Sequence, residues 1–378
     1  MQRRRPALRR LRRGGAGTLR PRGSPRAHRR GRGDGAVQHG AHGRGEPGAR
    51  GRCPRPSRGH PERDGGASGA AEGRPVRLRS AAVGGIALAW REWHLGGSEA
   101  LVLLHGFLDQ AASFRPLVDA LAARGLRRRV FALDFRGHGR SGWNGPAQSY
   151  HFPEYVGDLD GWLEHLEREG AADGPIDLLG HSMGGTVACY YAGTWPERVR
   201  RLILVEGLGP PSLPFEEGPE RLRVWREGVR RYRGRGHRVY PDIAAAAARL
   251  REGNPRLGEA LALELASEGT RPVEGGVVWR FDPRHKVRSA VPFHEARLLP
   301  FLERITAPVL SVEGSESGKV PEWEMRRRRI PRCTRRTVEG AGHMVHHDAP
   351  EALAAVVTEF LGGAAPGAAE DPPGSKEL

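Results

Sequence analysis

Between Val76 and about Leu361, short apolar segments alternate with segments of helical periodicity. This alternation constrains the fold more than any other feature, because it is typical of a mostly parallel β-sheet with helices packed on both faces. It predicts an α/β fold with eight strands, of which the first two form an antiparallel pair. The predicted strands are 76–79, 86–94, 99–105, 128–134, 176–181, 201–206, 308–314 and 333–339.

Two of the helical segments show their period clearly. Apolar residues recur at three- and four-residue steps, the spacing that places them on one face of a helix. We interpret both stripes as core faces and not as cofactor-binding residues, and we expect no cofactor. The stripes are Tyr155, Leu159, Trp162, Leu163 and Leu166, and Leu353, Val356, Val357, Phe360 and Leu361.

The alternation is interrupted over residues 208–304, between the strand that ends at Glu206 and the strand that starts at Pro308. A stretch of this length is too long for a connecting loop in a compact domain. It is rich in helix-forming residues, so we predict a helical lid inserted after strand 6. Residues 76–207 and 305–361 then form the α/β core.

Residues 1–75 contain 20 arginines and five acidic residues, and so carry a net +15 of the overall +17. They have almost no large apolar side chains to offset the entropy of ordering, and we predict that they are disordered. A non-functional extension is favoured over an arm that binds nucleic acid or anionic membrane, because the aromatic side chains that would stack on bases are missing. Residues 362–378 have a similarly disordered composition.

No run of about 18 apolar residues occurs in the sequence, and no apolar segment follows the N-terminal charges in the manner of a signal peptide. We therefore expect a soluble, cytoplasmic protein. The three cysteines, Cys53, Cys189 and Cys333, are odd in number and show no metal-ligand spacing. The sequence predicts neither a disulfide framework nor a metal site, and nothing in it indicates an oligomeric state.

The segment LLGHSMGGTVA at 178–188 places a serine between two glycines, after an apolar run and before small residues. The pattern Gly-x-Ser-x-Gly in this context is the nucleophile elbow, in which a serine stands on a sharp strand-to-helix turn. Glycines are needed there because side chains would collide with the neighbouring strand and helix. Ser182 is accordingly predicted as a catalytic nucleophile, in preference to a structural turn serine.

A strand that ends in His105 and Gly106 is followed by Phe107. In enzymes with a nucleophile elbow, one amide of the oxyanion hole comes from such a loop and the other from the residue after the nucleophile. The backbone N–H groups of Phe107 and Met183 are therefore the predicted oxyanion hole. We expect His105 to brace the loop and not to transfer protons.

Four motifs together carry a family resemblance: HGF at 105–107, DFRGHGRS at 134–141, GHSMGG at 180–185 and GAGHMVHHDAPEAL at 340–353. With these motifs in this order and spacing, residues 76–361 resemble the α/β-hydrolase superfamily. The lid segment SEGTRPVEGGVVWRFDPRHK at 267–286 is similar to the serine hydrolase-like proteins and their bacterial relatives. The resemblance implies the α/β-hydrolase fold and a Ser-His-acid mechanism, and it leaves the substrate open.

The resemblance also implies that the base lies on the loop between the last strand and the last helix. His343, which follows GAG at 340–342, is favoured there over His346 and His347. As the base, it would take the Ser182 proton during attack and return it to the leaving group.

The acid departs from the common pattern. Many members of the superfamily carry Asp three residues after the glycine that ends the strand at 308–314, where this chain has Ser317. Some members place their acid at the end of the preceding strand instead, where this chain has Glu206. We favour Glu206, with Glu316, Glu313 or no acid as the alternatives.

These features predict a serine hydrolase that cleaves a carboxylic ester, thioester or related acyl bond of a small molecule through an acyl-enzyme. One alternative is a non-catalytic hydrolase-fold protein that binds a ligand or partner. The other is a different Ser-His reaction, that of a carbon–carbon bond hydrolase, an acyltransferase or a cofactor-free haloperoxidase. Aromatic residues are expected to form an apolar pocket over the nucleophile. They are Phe107, Trp143, Trp225, Trp279, Phe281 and Phe293.

Overall fold

The computed structural model describes residues 75–145 and 148–362. The expectations for residues 1–74 and 363–378, disorder or a binding arm, lie outside the described residues. The described part contains ten strands. They are β1 (Val76–Val83), β2 (Ile86–His94), β3 (Ala100–Leu104), β4 (Arg129–Asp134), β5 (Ile176–His181), β6 (Val199–Val205), β7 (Thr270–Val273), β8 (Gly276–Trp279), β9 (Val309–Gly314) and β10 (Cys333–Val338).

Ten α-helices accompany these strands within the described residues. They are α1 (Arg115–Ala123), α2 (Phe152–Arg168), α3 (Met183–Thr194), α4 (Gly218–Tyr232), α5 (Ile243–Gly253), α6 (Glu259–Gly269), α7 (Leu299–Arg304), α8 (Glu322–Arg328), α9 (Val345–Asp348) and α10 (Pro350–Gly362). None of these helices is long and apolar enough to cross a membrane.

Eight strands form one sheet in the order β1-β2-β4-β3-β5-β6-β9-β10. The pairs β1–β2 and β2–β4 are antiparallel, and every pair from β4 to β10 is parallel. The predicted α/β fold, with a mostly parallel eight-stranded sheet and an antiparallel opening pair, is confirmed. Because β3, β5 and β6 are neighbours, their carboxyl ends meet at one edge of the sheet, where α/β proteins bind ligands.

Successive residues of the central strand β3 enter different hydrophobic clusters, because side chains alternate across a sheet. Val102 and Leu104 pack with α2, α3 and α7, whereas Leu101 and Leu103 pack with α1 and α10. All four are fully buried, and burial of one such side chain stabilises the fold by about 1.5 to 3 kcal/mol. The two predicted apolar stripes lie in these clusters, on α2 and α10.

The insertion after β6 contains α4, α5 and α6 and also an antiparallel hairpin, β7–β8, which the helical prediction missed. The sequence signal for this hairpin was a pair of segments with β-branched residues, TRPV and GVVW, joined by a turn at Glu274 and Gly275. Helices α5 and α6 share a small core of their own with Tyr240. The last helix within residues 208–304, α7, packs on α3 through Leu302.

Two ion pairs fasten α6 to the core. Arg91 on β2 lies 2.5 Å from Glu268, and Arg115 at the start of α1 lies 2.7 Å from Glu264. Both arginines belong to elements near the carboxyl edge of the sheet. The lid therefore covers the same edge at which the predicted site residues lie.

Candidate active site

Ser182 stands on the turn between β5 and α3 with a positive backbone φ of 52° and a ψ of −114°. A non-glycine residue in this region is strained, and such strain concentrates at functional sites. Among the described residues, the non-glycine positions with positive φ are Leu108, Ser182 and Glu206. All three belong to elements that the sequence predicted to form the site.

Two glycines of the elbow are required by close packing. A Cβ on Gly184 would lie 2.2 Å from the carbonyl oxygen of Leu104 on β3. A Cβ on Gly180 would lie 2.5 Å from the carbonyl oxygen of Gly184 itself. The turn can therefore place α3 this close to the sheet only because neither position carries a side chain.

Ser182, His343 and Glu206 form a continuous hydrogen-bonded row. His343 Nε2 lies 3.0 Å from Ser182 Oγ, and His343 Nδ1 lies 3.1 Å from Glu206 Oε2. The histidine side chain is 49% exposed, whereas that of Glu206 is 1% exposed. If Nδ1–H donates to the carboxylate, Nε2 keeps a lone pair directed at the serine hydroxyl, as a general base requires.

The Glu206 carboxylate is held by two further donors. The Gly314 backbone N–H donates to Oε1 at 2.8 Å, and the Ser317 hydroxyl donates to Oε2 at 2.6 Å. A buried carboxylate remains charged at low cost only with such partners. Ser317, the residue at the position where many relatives carry the acid, thus donates to the carboxylate favoured as the acid from the sequence, a contact that sequence reasoning did not find.

The alternative acids bind arginines. Glu313 pairs with Arg327 and, at 2.8 Å, with Arg335. Glu316 pairs with Arg256. Of the three carboxylates considered from the sequence, Glu206 is the one that the structure brings to His343.

The alternative bases, His346 and His347, lie on α9 just after His343. Burial lowers the pKa of each to about 3. Histidines with such a pKa are poor proton acceptors near neutral pH. His346 contacts Ser113 Oγ at 3.2 Å and not Ser182, so the geometry favours His343 as the base.

Of the two predicted oxyanion residues, Met183 follows Ser182 directly and Phe107 follows Gly106, which packs against Ser182. Met183 is the first residue of α3, where an N–H has no acceptor within the helix and lies at the positive end of the helix dipole. Phe107 follows Gly106, whose position is packed against Ser182: a Cβ there would lie 3.3 Å from Ser182 Cβ. The next residue, Leu108, has a φ of 60° and donates its N–H to His138 Nε2 at 3.3 Å.

Two buried residues brace this loop. His105 accepts the Phe135 N–H through Nε2 at 3.1 Å, and its Nδ1 lies 2.7 Å from the Gly106 carbonyl oxygen. Asp134 accepts the backbone N–H of Ala111 at 2.7 Å and that of Arg140 at 2.9 Å. His105 therefore has the bracing position expected from the sequence.

His181, directly before the nucleophile, has a second position that sequence reasoning missed. Its Nε2 lies 2.9 Å from the carbonyl oxygen of His343. An imidazole that contacts a carbonyl oxygen must donate, so this nitrogen carries the proton. His181 thus ties the loop of the base to the strand that carries the nucleophile.

A cavity of about 140 Å³ lies between the lid and the core beside the site. It is mostly apolar, and three of the six aromatic residues predicted to form a pocket, Phe107, Trp279 and Phe281, line it. Its remaining lining residues are Leu108, Asp109, Gln110, Gly139, Leu250, Leu257, Leu265, Gly269, Met344 and His347. Phe107 belongs to the predicted oxyanion loop and Met344 follows His343, so the cavity adjoins both segments of the predicted site.

Residues 99–350 match the alpha/beta hydrolase fold family. The chain is 28% identical to a serine hydrolase-like protein of Danio rerio over 75% of this chain and 88% of that protein. It is 29% identical to 2-(acetamidomethylene)succinate hydrolase of Mesorhizobium japonicum, over 74% of this chain and 93% of that protein.

A solved structure has the same architecture. The thioesterase domain from the curacin biosynthetic pathway is 28% identical and covers 76% of this chain and 100% of its own, with a TM-score of 0.67. A further relative is the sn-1-specific diacylglycerol lipase ABHD11 of Mus musculus, 29% identical over 69% of this chain and 80% of that protein.

Proposed function

The chain belongs to the alpha/beta hydrolase fold family and is a hydrolase, and from this premise we propose that it cleaves carboxylic esters, thioesters or related acyl bonds through an acyl-enzyme on Ser182. The observation that carries the proposal is the row of hydrogen-bond distances from Ser182 Oγ through His343 to Glu206. Such a row activates a hydroxyl for attack on a carbonyl carbon.

In the first half of the reaction, His343 Nε2 takes the proton from Ser182 Oγ as the oxygen attacks the carbonyl carbon. The carbonyl oxygen becomes negatively charged and accepts hydrogen bonds from the amides of Phe107 and Met183. His343 then gives the proton to the leaving oxygen or sulfur, and the bond to the leaving group breaks. The acyl group remains on Ser182.

In the second half, water attacks the acyl-enzyme and gives its proton to His343 Nε2. The carboxylic acid leaves and Ser182 regains its proton. Throughout, Glu206 accepts the Nδ1–H of His343 and stabilises the imidazolium that forms at each attack. Because Glu206 is buried and held by Ser317 and Gly314, it keeps the ring in one tautomer and orientation.

The substrate proposed from the cavity is an acyl compound with an apolar group. The lining is leucines and aromatic rings over most of its extent, so an alkyl or aryl group gains free energy on entering it. A lipase and a thioesterase domain among the relatives are named for cleavage of an acyl ester or thioester bond. Both names are consistent with this class.

A non-catalytic role rested on the missing aspartate at position 317. Glu206 lies 3.1 Å from His343 Nδ1, and this distance supports the catalytic role over that alternative.

The proposal is tested with the purified full chain and p-nitrophenyl butyrate and butyryl thioester substrates. We expect hydrolysis that falls by about 10³-fold or more in Ser182→Ala and in His343→Ala. Ser98→Ala and His94→Ala, at exposed positions, serve as matched controls and keep the wild-type rate. Equal rates in Ser182→Ala and wild type would contradict the proposal.

A further inference from the structure

Three residues from separate parts of the chain meet behind the oxyanion loop. Asp109 follows β3, His181 ends β5 and His346 lies on α9. One carboxylate oxygen and one nitrogen from each imidazole lie within 4.8 Å of one another. We call these three residues the His-His-Asp cluster.

Both imidazoles of the cluster have one nitrogen occupied and one without a partner. His181 Nε2 donates to the His343 carbonyl, so its Nδ1 is a bare lone pair. The Ser113 hydroxyl donates to Asp109 Oδ2 at 2.8 Å, so it accepts from His346 Nε2 at 3.2 Å, and His346 Nδ1 is likewise bare. Neither Nδ1 atom has a hydrogen-bond partner among the described residues.

These lone pairs are not satisfied by solvent at the surface. His181 and His346 are each 1% exposed. Buried polar atoms in folded proteins nearly always have a partner, so each bare nitrogen calls for a ligand that accepts electron pairs. The His181 Nδ1 lies beside Gly106, where a Cβ would lie only 2.8 Å away, so the glycine keeps a side chain off this nitrogen.

We propose that Asp109, His181 and His346 bind a divalent transition-metal ion of the zinc type. Two neutral imidazoles and one carboxylate are a donor set that zinc prefers. Each imidazole also donates its other N–H to an oxygen, the arrangement usual for histidine ligands of metals.

Binding requires a small closure of the cluster. Zinc bonds of about 2.1 Å in a tetrahedron place ligand atoms about 3.4 Å apart, so the three atoms must approach one another. Asp109 Oδ2 now lies 3.7 Å from His346 Nε2, so the carboxylate must also move to reach a metal on Nδ1 of that ring. Asp109 can make this movement because it lies on a loop and its side chain is 14% exposed. It also lines the cavity under the lid, which supplies a route for the ion.

The metal is expected to inhibit hydrolysis, an effect that rests on the proposed function. His181 precedes Ser182 and holds the His343 carbonyl through Nε2. A metal on Nδ1 of the same ring would shift His181, and His181 holds the loop of His343 next to Ser182. A displacement of about 1 Å in such a pair costs about 10²-fold in rate.

The test is a Zn²⁺ titration of the full chain against a colorimetric chelator, with hydrolysis of p-nitrophenyl butyrate followed in parallel. Asp109→Asn and His346→Gln remove ligands and retain polar side chains of similar size. His94→Gln, at an exposed histidine beside Glu92, is the matched control, and His343→Gln tests the triad histidine as a rival ligand. Histidines and Cys53 in residues 1–74 are common to all variants and cancel in the comparison.

We expect the wild type, His94→Gln and His343→Gln to bind one zinc at least tenfold more tightly than Asp109→Asn and His346→Gln. Zinc should inhibit the wild type reversibly with EDTA, and both ligand variants should need at least tenfold more zinc for the same inhibition. Binding and inhibition that are unchanged in Asp109→Asn and His346→Gln would overturn the site. Absence of hydrolysis in every sample would refute the proposed function, while the binding titration would still decide the metal site.

Discussion

The Ser317 hydroxyl donates a hydrogen bond of 2.6 Å to Glu206 Oε2, the same oxygen that lies 3.1 Å from His343 Nδ1. Ser317 occupies the position where many members of the superfamily carry the acid, after β9. In this chain the carboxylate that contacts His343 comes from the end of β6, and the serine at the other position donates a hydrogen bond to it. The two strands are neighbours in the sheet, so either one can present a carboxylate to the histidine loop.

Replacing Glu206 by Gln should lower kcat for ester hydrolysis by about 10³- to 10⁴-fold, because an amide cannot fix the histidine tautomer or stabilise the imidazolium. The measurement is steady-state kinetics with p-nitrophenyl butyrate. Glu313→Gln and Glu316→Gln are the matched controls, since both carboxylates pair with arginines. A larger loss in either control than in Glu206→Gln would assign the acid elsewhere.

Ser317→Ala should lower kcat by about 5- to 30-fold, since it removes one hydrogen bond to a charged group. Ser317→Asp alone should also lower activity, because a second carboxylate beside Glu206 raises the pKa of the pair. The double variant Glu206→Gln with Ser317→Asp should recover at least tenfold over Glu206→Gln alone. This rescue would show that position 317 acts on the imidazole of His343 and does not merely support the fold. Its absence would count against the idea that a carboxylate at position 206 or at position 317 can serve as the acid.

Filling the cavity should shift the chain-length preference for p-nitrophenyl esters. Leu257→Trp or Leu265→Trp places a larger side chain in the lining, so kcat/KM should fall for octanoate more than for acetate. Leu222→Trp, on the exposed face of α4, is the control and should keep the wild-type profile. A profile that Leu257→Trp and Leu265→Trp leave unchanged would place the acyl group outside this cavity.

The conformational stability should fall as the pH drops from about 6.5 to about 4. Burial lowers the pKa of His285 to about 4 and that of His346 to about 3, whereas both are near 6.5 in the unfolded chain. In this window the unfolded chain binds protons that the folded chain does not, so each histidine costs up to about 1.4 kcal/mol per pH unit. Urea unfolding at several pH values measures the slope.

His346→Gln should make the dependence of stability on pH shallower, because the variant lacks one of the histidines that bind a proton on unfolding. His94→Gln, at an exposed histidine, should leave it as in the wild type. If stability instead rose as the pH fell through this range, the two histidines would not be neutral in the folded protein.

The arrangement of the residues with local sequence signals could be predicted. Ser182 stands in a five-residue pattern that requires glycines for steric reasons, and the oxyanion amides follow from its place between strand and helix. His343 was identified by the loop after the last strand. Glu206 was favoured from its position at the end of β6, and the distance to His343 supports that choice.

The contacts between distant segments could not be predicted. The hydrogen bond from Ser317 to Glu206 depends on the register of β6 against β9, which no local pattern encodes. The hairpin β7–β8 was missed because helix-forming segments surround it and its strands are four residues each. The His-His-Asp cluster joins three elements and has no ligand spacing in the sequence.

The most direct test of the central claim is to trap the acyl-enzyme. The full chain is mixed with p-nitrophenyl butyrate, quenched in acid within milliseconds to seconds and digested for mass spectrometry. An acyl-enzyme mechanism predicts a butyryl group on Ser182 that disappears as water completes the reaction, and no such group in Ser182→Ala. Full hydrolytic activity with the butyryl group on another residue, or with none on Ser182 at any time, would contradict it.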